Sequence, residues 1–124
     1  MPKEKVDLLF KNAVVLTMNK ERELLWDGAV AVQGEKIAAV GSMDDLAGKY
    51  EGKREIDARR KLLMPGLVNT HNHMFGALCR GFVNDLSFTP WVQKKFYVST
   101  KGLDLESYHL STLLLGIEML KSGT

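Results

Sequence analysis

The sequence predicts an α/β chain in which a β-rich segment, residues 1–63, precedes one β/α unit in residues 64–124. Short apolar and β-branched runs separated by turn residues fill the first part, and this pattern is typical of strands. The character changes at Pro65 and Gly66, because proline removes a hydrogen-bond donor from a strand and glycine loosens the backbone. Beyond this boundary, one strand-like run and one stretch of helical periodicity predict a single strand followed by a helix.

The elements of the β-rich segment are predicted to be short and mostly antiparallel. Asn12 is a turn-forming residue near the middle of the run 7–17, so the simplest prediction there is two short strands. Residues 28–41 contain two apolar runs joined around Gly34, which can adopt positive φ, and they predict a hairpin. The remaining predictions are a short helix or turn at 43–50 and two further strands at 54–58 and 61–65.

The β/α unit is predicted from an apolar strand at 67–71 and an amphipathic helix over 105–121. Asp104 is a suitable N-cap for this helix, and Gly123 can end it in the left-handed conformation. About thirty residues separate strand and helix, which is long for a simple connection and predicts either a functional loop or short helices. The apolar stripe of the helix is expected to face a core and consists of Leu110, Leu113, Leu114, Ile117 and Leu120.

Composition and charge exclude several classes of protein. Of the 124 residues, 45% are hydrophobic and 26% are charged, which is ordinary for a globular domain. The 17 basic and 15 acidic residues are interspersed and give a net charge of +2, so we expect no nucleic-acid surface. A single cysteine, Cys79, cannot form an internal disulfide, and the first residues lack the apolar core of a signal peptide. We therefore expect a cytoplasmic chain. Since no apolar run approaches about 20 residues, we also expect no membrane span.

Two of the three histidines, His71 and His73, lie two residues apart at the end of the predicted strand. Side chains on a strand alternate between its faces, so both imidazoles are expected on one side while Asn72 points to the other. Imidazole is a common metal ligand, and the pair therefore predicts half of a metal site. It is only half, because a catalytic zinc usually has three protein ligands and one water. The alternative is two polar residues that hydrogen-bond to backbone at a strand end.

Motifs along nearly the whole chain resemble the start of the metal-dependent amidohydrolase superfamily. In order, they are VQGEKIAAVG at 32–41, IDA at 56–58, MPGLVNTHNH at 64–73 and EMLKSGT at 118–124. Within the superfamily, the run 79–86 with Trp91 is similar to the branch of chlorotriazine hydrolases, S-adenosylhomocysteine and methylthioadenosine deaminases, and guanine deaminases. One departure is Arg60, because the family commonly has a glycine near this position and a positive φ would strain an arginine.

The resemblance implies a (β/α)8 barrel flanked by a β-sandwich that both chain ends build. Residues 1–63 would then be a sandwich-type segment. Residues 64–124 would supply the first strand, a long loop and the first helix of a truncated barrel, since a whole barrel takes about 250 residues. The resemblance also implies that His71 and His73 bind one divalent metal ion, zinc or iron. Further histidines and an aspartate would come from later strands, so we expect an N-terminal fragment.

In such enzymes the metal lowers the pKa of its water towards about 7 and so provides hydroxide that attacks a ring or amide carbon. The implied activity is hydrolysis of a carbon–nitrogen or carbon–chlorine bond in a small nitrogen heterocycle. Met74, Phe75 and Trp91 are candidates for substrate binding, and the alternative for each is simple packing. We assign no catalytic residue within the chain and expect the isolated chain to be inactive.

Other interpretations stay open at this level. Arg80 and Asp85 could fix the long loop through an ion pair or contact substrate, and His109 lies off the apolar stripe and is expected to be exposed. A phosphoesterase of the histidinol-phosphatase type also carries two histidines with this spacing near the start of its chain. A different class is a non-catalytic β-rich module that assembles with another chain through an exposed barrel edge. We expect a homo-oligomer.

Overall fold

The computed structural model describes residues 2–124 as a mixed α/β chain with one β-sheet. The chain divides between Pro65 and Gly66 into two compact units. We call residues 1–65 the sheet unit and residues 66–124 the helical unit. The mixed α/β class predicted from the sequence is confirmed. Within residues 2–124, the structure contains no helix that is long and apolar enough to cross a membrane.

The sheet contains five strands, β1 (Glu4–Leu16), β2 (Leu24–Gln33), β3 (Lys36–Ser42), β4 (Tyr50–Asp57) and β5 (Leu62–Leu63). β1 is central: it pairs antiparallel with β2 on one side and parallel with β4 and β5 on the other. β3 lies at the edge and pairs antiparallel with β2. The prediction of a mostly antiparallel arrangement is therefore wrong for β4 and β5. β4 pairs parallel because the chain crosses over through a helix before it returns to β1.

The prediction of two strands around Asn12 is also wrong, because β1 continues through this residue for 13 residues. Asn12 has a φ of 59°, and the register between β1 and β2 shifts between Phe10 and Ala13. Asparagine tolerates the left-handed conformation, so the chain absorbs it as a bulge instead of turning. The Asn12 amide also donates to Asp57 Oδ1 at 2.9 Å, which ties the bulge to β4.

The predicted hairpin between β2 and β3 is confirmed, with Gln33 opposite Lys36 and Gly34 at a φ of 58°. The carboxylate of Asp7 holds this turn, because it accepts hydrogen bonds from Gln33 Nε2 and the Gly34 N–H, each at 2.8 Å. Lys53 Nζ lies 2.7 Å from the same carboxylate. These donors, Lys53 foremost, lower the pKa of Asp7.

Of the short helix or turn predicted at 43–50, the structure shows the helix, α1 (Met43–Ala47). Ser42 caps it, since its side chain accepts a hydrogen bond from the Asp45 N–H at 3.2 Å. Leu46 is the buried residue of this helix. The other buried apolar residues of the sheet unit lie on or beside β1 and β2, and they are Val6, Leu9, Ala13, Val15, Ala29, Val30, Ala31 and Ala58.

The helical unit consists of a 3-10 helix (Met74–Cys79), α2 (Phe88–Lys101) and α3 (Leu105–Ser122). The connection of about thirty residues was predicted to be either a functional loop or short helices. It contains α2, a regular helix of 14 residues. α3 has the predicted ends. Asp104 Oδ1 accepts a hydrogen bond from the Ser107 N–H at 2.8 Å, and Gly123 has a φ of 80°.

Two predictions are wrong in the helical unit. Residues 66–73, which we call the histidine segment, contain no strand. A parallel strand is stabilised by hydrogen bonds to neighbouring strands, and the helical unit has no strand to offer. The apolar stripe of α3 is not buried either, because its five residues are between 39% and 80% exposed.

Candidate metal centre

The imidazoles of His71 and His73 converge even though the histidine segment forms no strand. Their Nε2 atoms lie 3.1 Å apart, and the ring centroids are separated by 5.1 Å at an interplanar angle of 61°. Both residues are exposed. The two nitrogens therefore face each other at hydrogen-bond distance, in a part of the chain that is open to solvent.

This geometry fits two ligands of one tetrahedral metal ion. With zinc–nitrogen bonds of about 2.0–2.1 Å, two imidazole nitrogens on a tetrahedral zinc are about 3.3–3.4 Å apart. The observed separation of 3.1 Å is within a few tenths of an ångström of that distance. Residues 2–124 contain no cluster of three or more His, Cys, Asp or Glu side chains that could hold a metal. The separation of the two nitrogens thus matches two positions of a coordination sphere, and the described chain places no cluster with a third His, Cys, Asp or Glu side chain beside them.

The last turn of α3 holds the histidine segment. The Leu67 N–H donates to the Gly123 carbonyl at 2.7 Å. The side-chain amides of Asn69 and Asn72 both donate to Met119 Sδ at 3.5 Å. Asn69 Oδ1 in turn accepts a hydrogen bond from the His71 N–H at 3.1 Å. One backbone hydrogen bond and three side-chain hydrogen bonds therefore replace the missing strand pairing.

An aromatic cavity of about 300 Å³ begins at His73. Phe75 meets the His73 ring edge-on, with centroids 5.7 Å apart. Trp91 stacks against Phe88 at 6.4 Å, and Lys95 Nζ lies 4.6 Å from the centre of the Trp91 ring. The residues that line the cavity are His73, Phe75, Phe88, Trp91, Val92, Lys95, Phe96 and Ser99.

Of the three residues predicted to bind substrate, the structure brings Phe75 and Trp91 into this cavity and leaves Met74 outside its lining. Sequence reasoning missed Phe88, Lys95 and Phe96. Their spacing of seven and eight residues along α2 was the available signal, because such positions lie on one face of a helix. The stretch was predicted to be a functional loop or short helices, and this prediction assigned no helical face to it.

Of the two roles left open for Arg80 and Asp85, the structure gives Arg80 an ion pair, but not with Asp85. Arg80 instead makes two hydrogen bonds to the Glu118 carboxylate of α3, at 2.8 and 2.5 Å. This bidentate pair lowers the pKa of Glu118 and raises that of Arg80. Arg80 pairs with Glu118 rather than Asp85 because α3 places the Glu118 carboxylate beside the end of the 3-10 helix. His109 is exposed, as predicted.

Ser111 is a second residue that sequence reasoning missed. It is fully buried at the contact between α3 and the 3-10 helix. Its hydroxyl donates to the Met74 carbonyl at 2.8 Å and accepts from the Leu78 N–H at 3.3 Å. A serine within a helix gave no sequence signal for this role. Ser111 fixes the backbone that leads from the histidine pair into the aromatic cavity.

Comparisons with known proteins show that the chain is similar to deaminases over most of its length. Residues 28–50 match the family described as "Imidazolonepropionase-like composite domain, bacteria". A 5-methylthioadenosine/S-adenosylhomocysteine deaminase from Nitratidesulfovibrio vulgaris is 38% identical over 118 residues, which is 95% of this chain and 27% of that protein. A 5′-deoxyadenosine deaminase from Methanosarcina acetivorans is 36% identical over 95% of this chain and 26% of its own length.

Solved structures give the same relationship. The crystal structure of an adenosine deaminase from Xanthomonas campestris with bound zinc has a TM-score of 0.86 and is 34% identical, covering 99% of this chain and 28% of that one. A triazine hydrolase variant has a TM-score of 0.57 and is 26% identical, covering 70% of this chain and 19% of that one. The chain thus spans about a quarter of the length of the curated relatives that it matches.

Proposed function

We propose that this chain, which belongs to the metal-dependent amidohydrolase superfamily, supplies two metal ligands and part of the substrate pocket of a deaminase that acts on a nitrogen heterocycle. The observation that carries this proposal is the convergence of His71 and His73, with 3.1 Å between their Nε2 atoms. Three of the named relatives are deaminases of adenosine or its derivatives by name, which favours loss of ammonia over loss of chloride.

A divalent metal ion, for which we propose zinc, would be bound by Nε2 of His71 and of His73. Imidazole suits both zinc and iron, and the zinc in the Xanthomonas deaminase favours the former. When bound, such an ion lowers the pKa of a coordinated water to about 7. The remaining ligands and the proton-transferring group are expected outside residues 2–124, and we therefore propose that the isolated chain is inactive.

The fold proposal follows from the same comparison. Residues 1–63 would form the sandwich-type segment, and residues 64–124 would begin a (β/α)8 barrel as its first strand, connection and helix. The exposed stripe of α3 supports this proposal, because a barrel helix needs a neighbouring surface to cover its apolar face. The unpaired histidine segment is consistent with a barrel strand that lacks its neighbours.

For substrate binding we propose Phe75 and Trp91, with Met74 as a further candidate beside them. A cavity lined by aromatic rings favours a flat, partly apolar ligand such as a heterocyclic base. Its position at His73 would place such a ring next to the metal. The role of these three side chains would be to bind and orient the ring and to exclude water from it.

The test is ammonia release from adenine nucleosides by the protein purified from its natural host. We expect activity that a chelator removes and zinc restores. His71→Asn and His73→Asn should abolish it, while the matched control His109→Asn should retain it, since His109 is exposed and outside the site. Activity that survives loss of either member of the pair would contradict the proposal.

The exposed face of α3 favours a second candidate, a module that assembles with a further chain, including a second copy. Light scattering on the purified 124-residue chain checks this possibility. Dimers or larger assemblies that Leu113→Ser disperses would support it. A stable monomer would contradict it.

A further inference from the structure

We propose that Asn69 is the positioning residue of the metal centre, because its side-chain oxygen fixes the backbone of His71 and so sets the distance between the two imidazoles. The inference rests on the proposed metal-binding role of His71 and His73. It adds a residue that touches neither metal nor substrate and acts through His71.

The first step is that the histidine segment has no strand pairing to fix its backbone. The hydrogen bond from the His71 N–H to Asn69 Oδ1, at 3.1 Å, takes that place. Asparagine commonly accepts a hydrogen bond from the backbone two residues further on, which closes a turn. This turn orients the Cα–Cβ bond of His71 and thereby directs its ring towards His73.

The second step is that the amide of Asn69 is itself held. Asn69 Nδ2 donates to Met119 Sδ at 3.5 Å, in the last turn of α3. A thioether sulfur is a weak acceptor, so this contact adds orientation more than energy. It keeps Oδ1 of the same amide facing the His71 N–H. The backbone bond from Leu67 to Gly123, at 2.7 Å, attaches the start of the segment to the same helix end.

Asn72 offers a matched control within the same cluster. Its amide also donates to Met119 Sδ at 3.5 Å. In the described chain, however, its side chain makes no hydrogen bond to the backbone of either histidine. Asn69 and Asn72 therefore share the sulfur contact and differ in the bond to His71. A comparison of the two isolates the effect of that bond.

The experiment measures the zinc dissociation constant of the untagged 124-residue chain by calorimetry, in a His109→Asn background that removes the third imidazole. We expect Asn69→Ala to weaken zinc binding about tenfold, since loss of a group that orients a metal ligand typically costs 10–100-fold in affinity. Asn72→Ala should stay within about twofold, because the His71 N–H keeps its acceptor. Helix content by circular dichroism should be the same in both. Asn69→Ser should bind within about threefold of the parent, since its hydroxyl can accept the same N–H.

Equal losses in Asn69→Ala and Asn72→Ala, or unchanged affinity in Asn69→Ala, would overturn the inference. If Asn69→Ala unfolds, Asn69→Ser decides: retained affinity supports the inference, and weakened affinity or loss of fold contradicts it. Zinc binding that survives His71→Asn, or no zinc binding by the parent, would overturn the proposed metal centre as well. Zinc binding that requires His71 but not Asn69 would overturn the present inference alone.

Discussion

The sheet unit carries its own core, whereas the helical unit leaves most of its apolar surface exposed. Of the ten buried hydrophobic residues in the described chain, nine lie in the sheet unit and one, Ala77, lies in the helical unit. The proposed metal ligands belong to the second, less buried unit. The sheet unit therefore buries a core of its own, whereas the proposed ligands lie in a unit that has one buried hydrophobic residue in the described chain.

The largest expected effect on stability comes from comparing a buried leucine of the sheet unit with an exposed leucine of the helical unit. Leu9 on β1 is 2% exposed and Leu110 on α3 is 49% exposed. Leu9→Ala should lower the free energy of unfolding by about 2–5 kcal/mol, because it removes buried methyl groups and leaves a cavity. Leu110→Ala should change it by less than about 0.5 kcal/mol, as is usual for surface positions. Urea denaturation of both variants checks this, and equal losses would contradict the contrast.

A smaller effect is expected at Ser111, the one buried hydroxyl that joins α3 to the 3-10 helix in the described chain. Ser111→Ala should destabilise the helical unit by about 1–3 kcal/mol, because it leaves the Met74 carbonyl and the Leu78 N–H without their partner. Thr112→Ala is the control, since Thr112 is exposed and only bonds back to the Tyr108 carbonyl. Thermal melting followed at 222 nm measures both. The expectation fails if the exposed site costs as much as the buried one.

Replacement of Arg60 by glycine should give a modest gain in stability. Its φ of 64° lies in the left-handed region, where glycine is favoured over residues with a Cβ atom. Arg60→Gly should therefore raise the free energy of unfolding by about 0.5–1 kcal/mol, after the greater flexibility of glycine in the unfolded chain is subtracted. Arg59 does not have a positive φ, so Arg59→Gly should be destabilising. A loss of stability in Arg60→Gly by urea denaturation would show that the turn is not strained.

The smallest effect on stability is expected at Asp7, which is partly exposed to solvent and paired with Lys53. Folding lowers the pKa of this carboxyl below its usual 3.8, so the ionised form stabilises the sheet unit above that pH. This contribution is lost as the pH falls through the folded-state pKa. The urea midpoints of the parent and of Asp7→Asn should therefore differ by a constant amount above about pH 5 and converge below about pH 4. A difference that grows on acidification would contradict this sign.

Much of the sheet unit could be predicted because its elements depend on local signals. Gly34 marked the turn between β2 and β3, and the order of apolar runs marked the strands. Asn12 was misread because its left-handed backbone is compatible with a turn or with a bulge, and only pairing on both sides of β1 selects the bulge. The parallel pairing of β4 and β5 was likewise invisible, since it is set by long-range contacts.

For the site, the sequence could predict that His71 and His73 belong together but gave the wrong local reason. Alternation along a strand was the expected cause, but the segment forms no strand, and we propose the turn made by Asn69 as the cause. The partners of this segment, Met119 and Gly123, lie some fifty residues further along the chain. Contacts between residues so far apart in the chain depend on how α3 packs against the histidine segment. The periodicity of either segment alone does not predict that packing.

The most direct test of the central claim, that the histidine pair is a metal half-site, is the nitrogen-15 NMR spectrum of the histidine rings during a zinc titration. The convergent geometry predicts that the Nε2 signals of His71 and His73 shift together and saturate at one zinc per chain, while those of His109 stay unchanged. A response of only one member of the pair, or an equal response of His109, would contradict it.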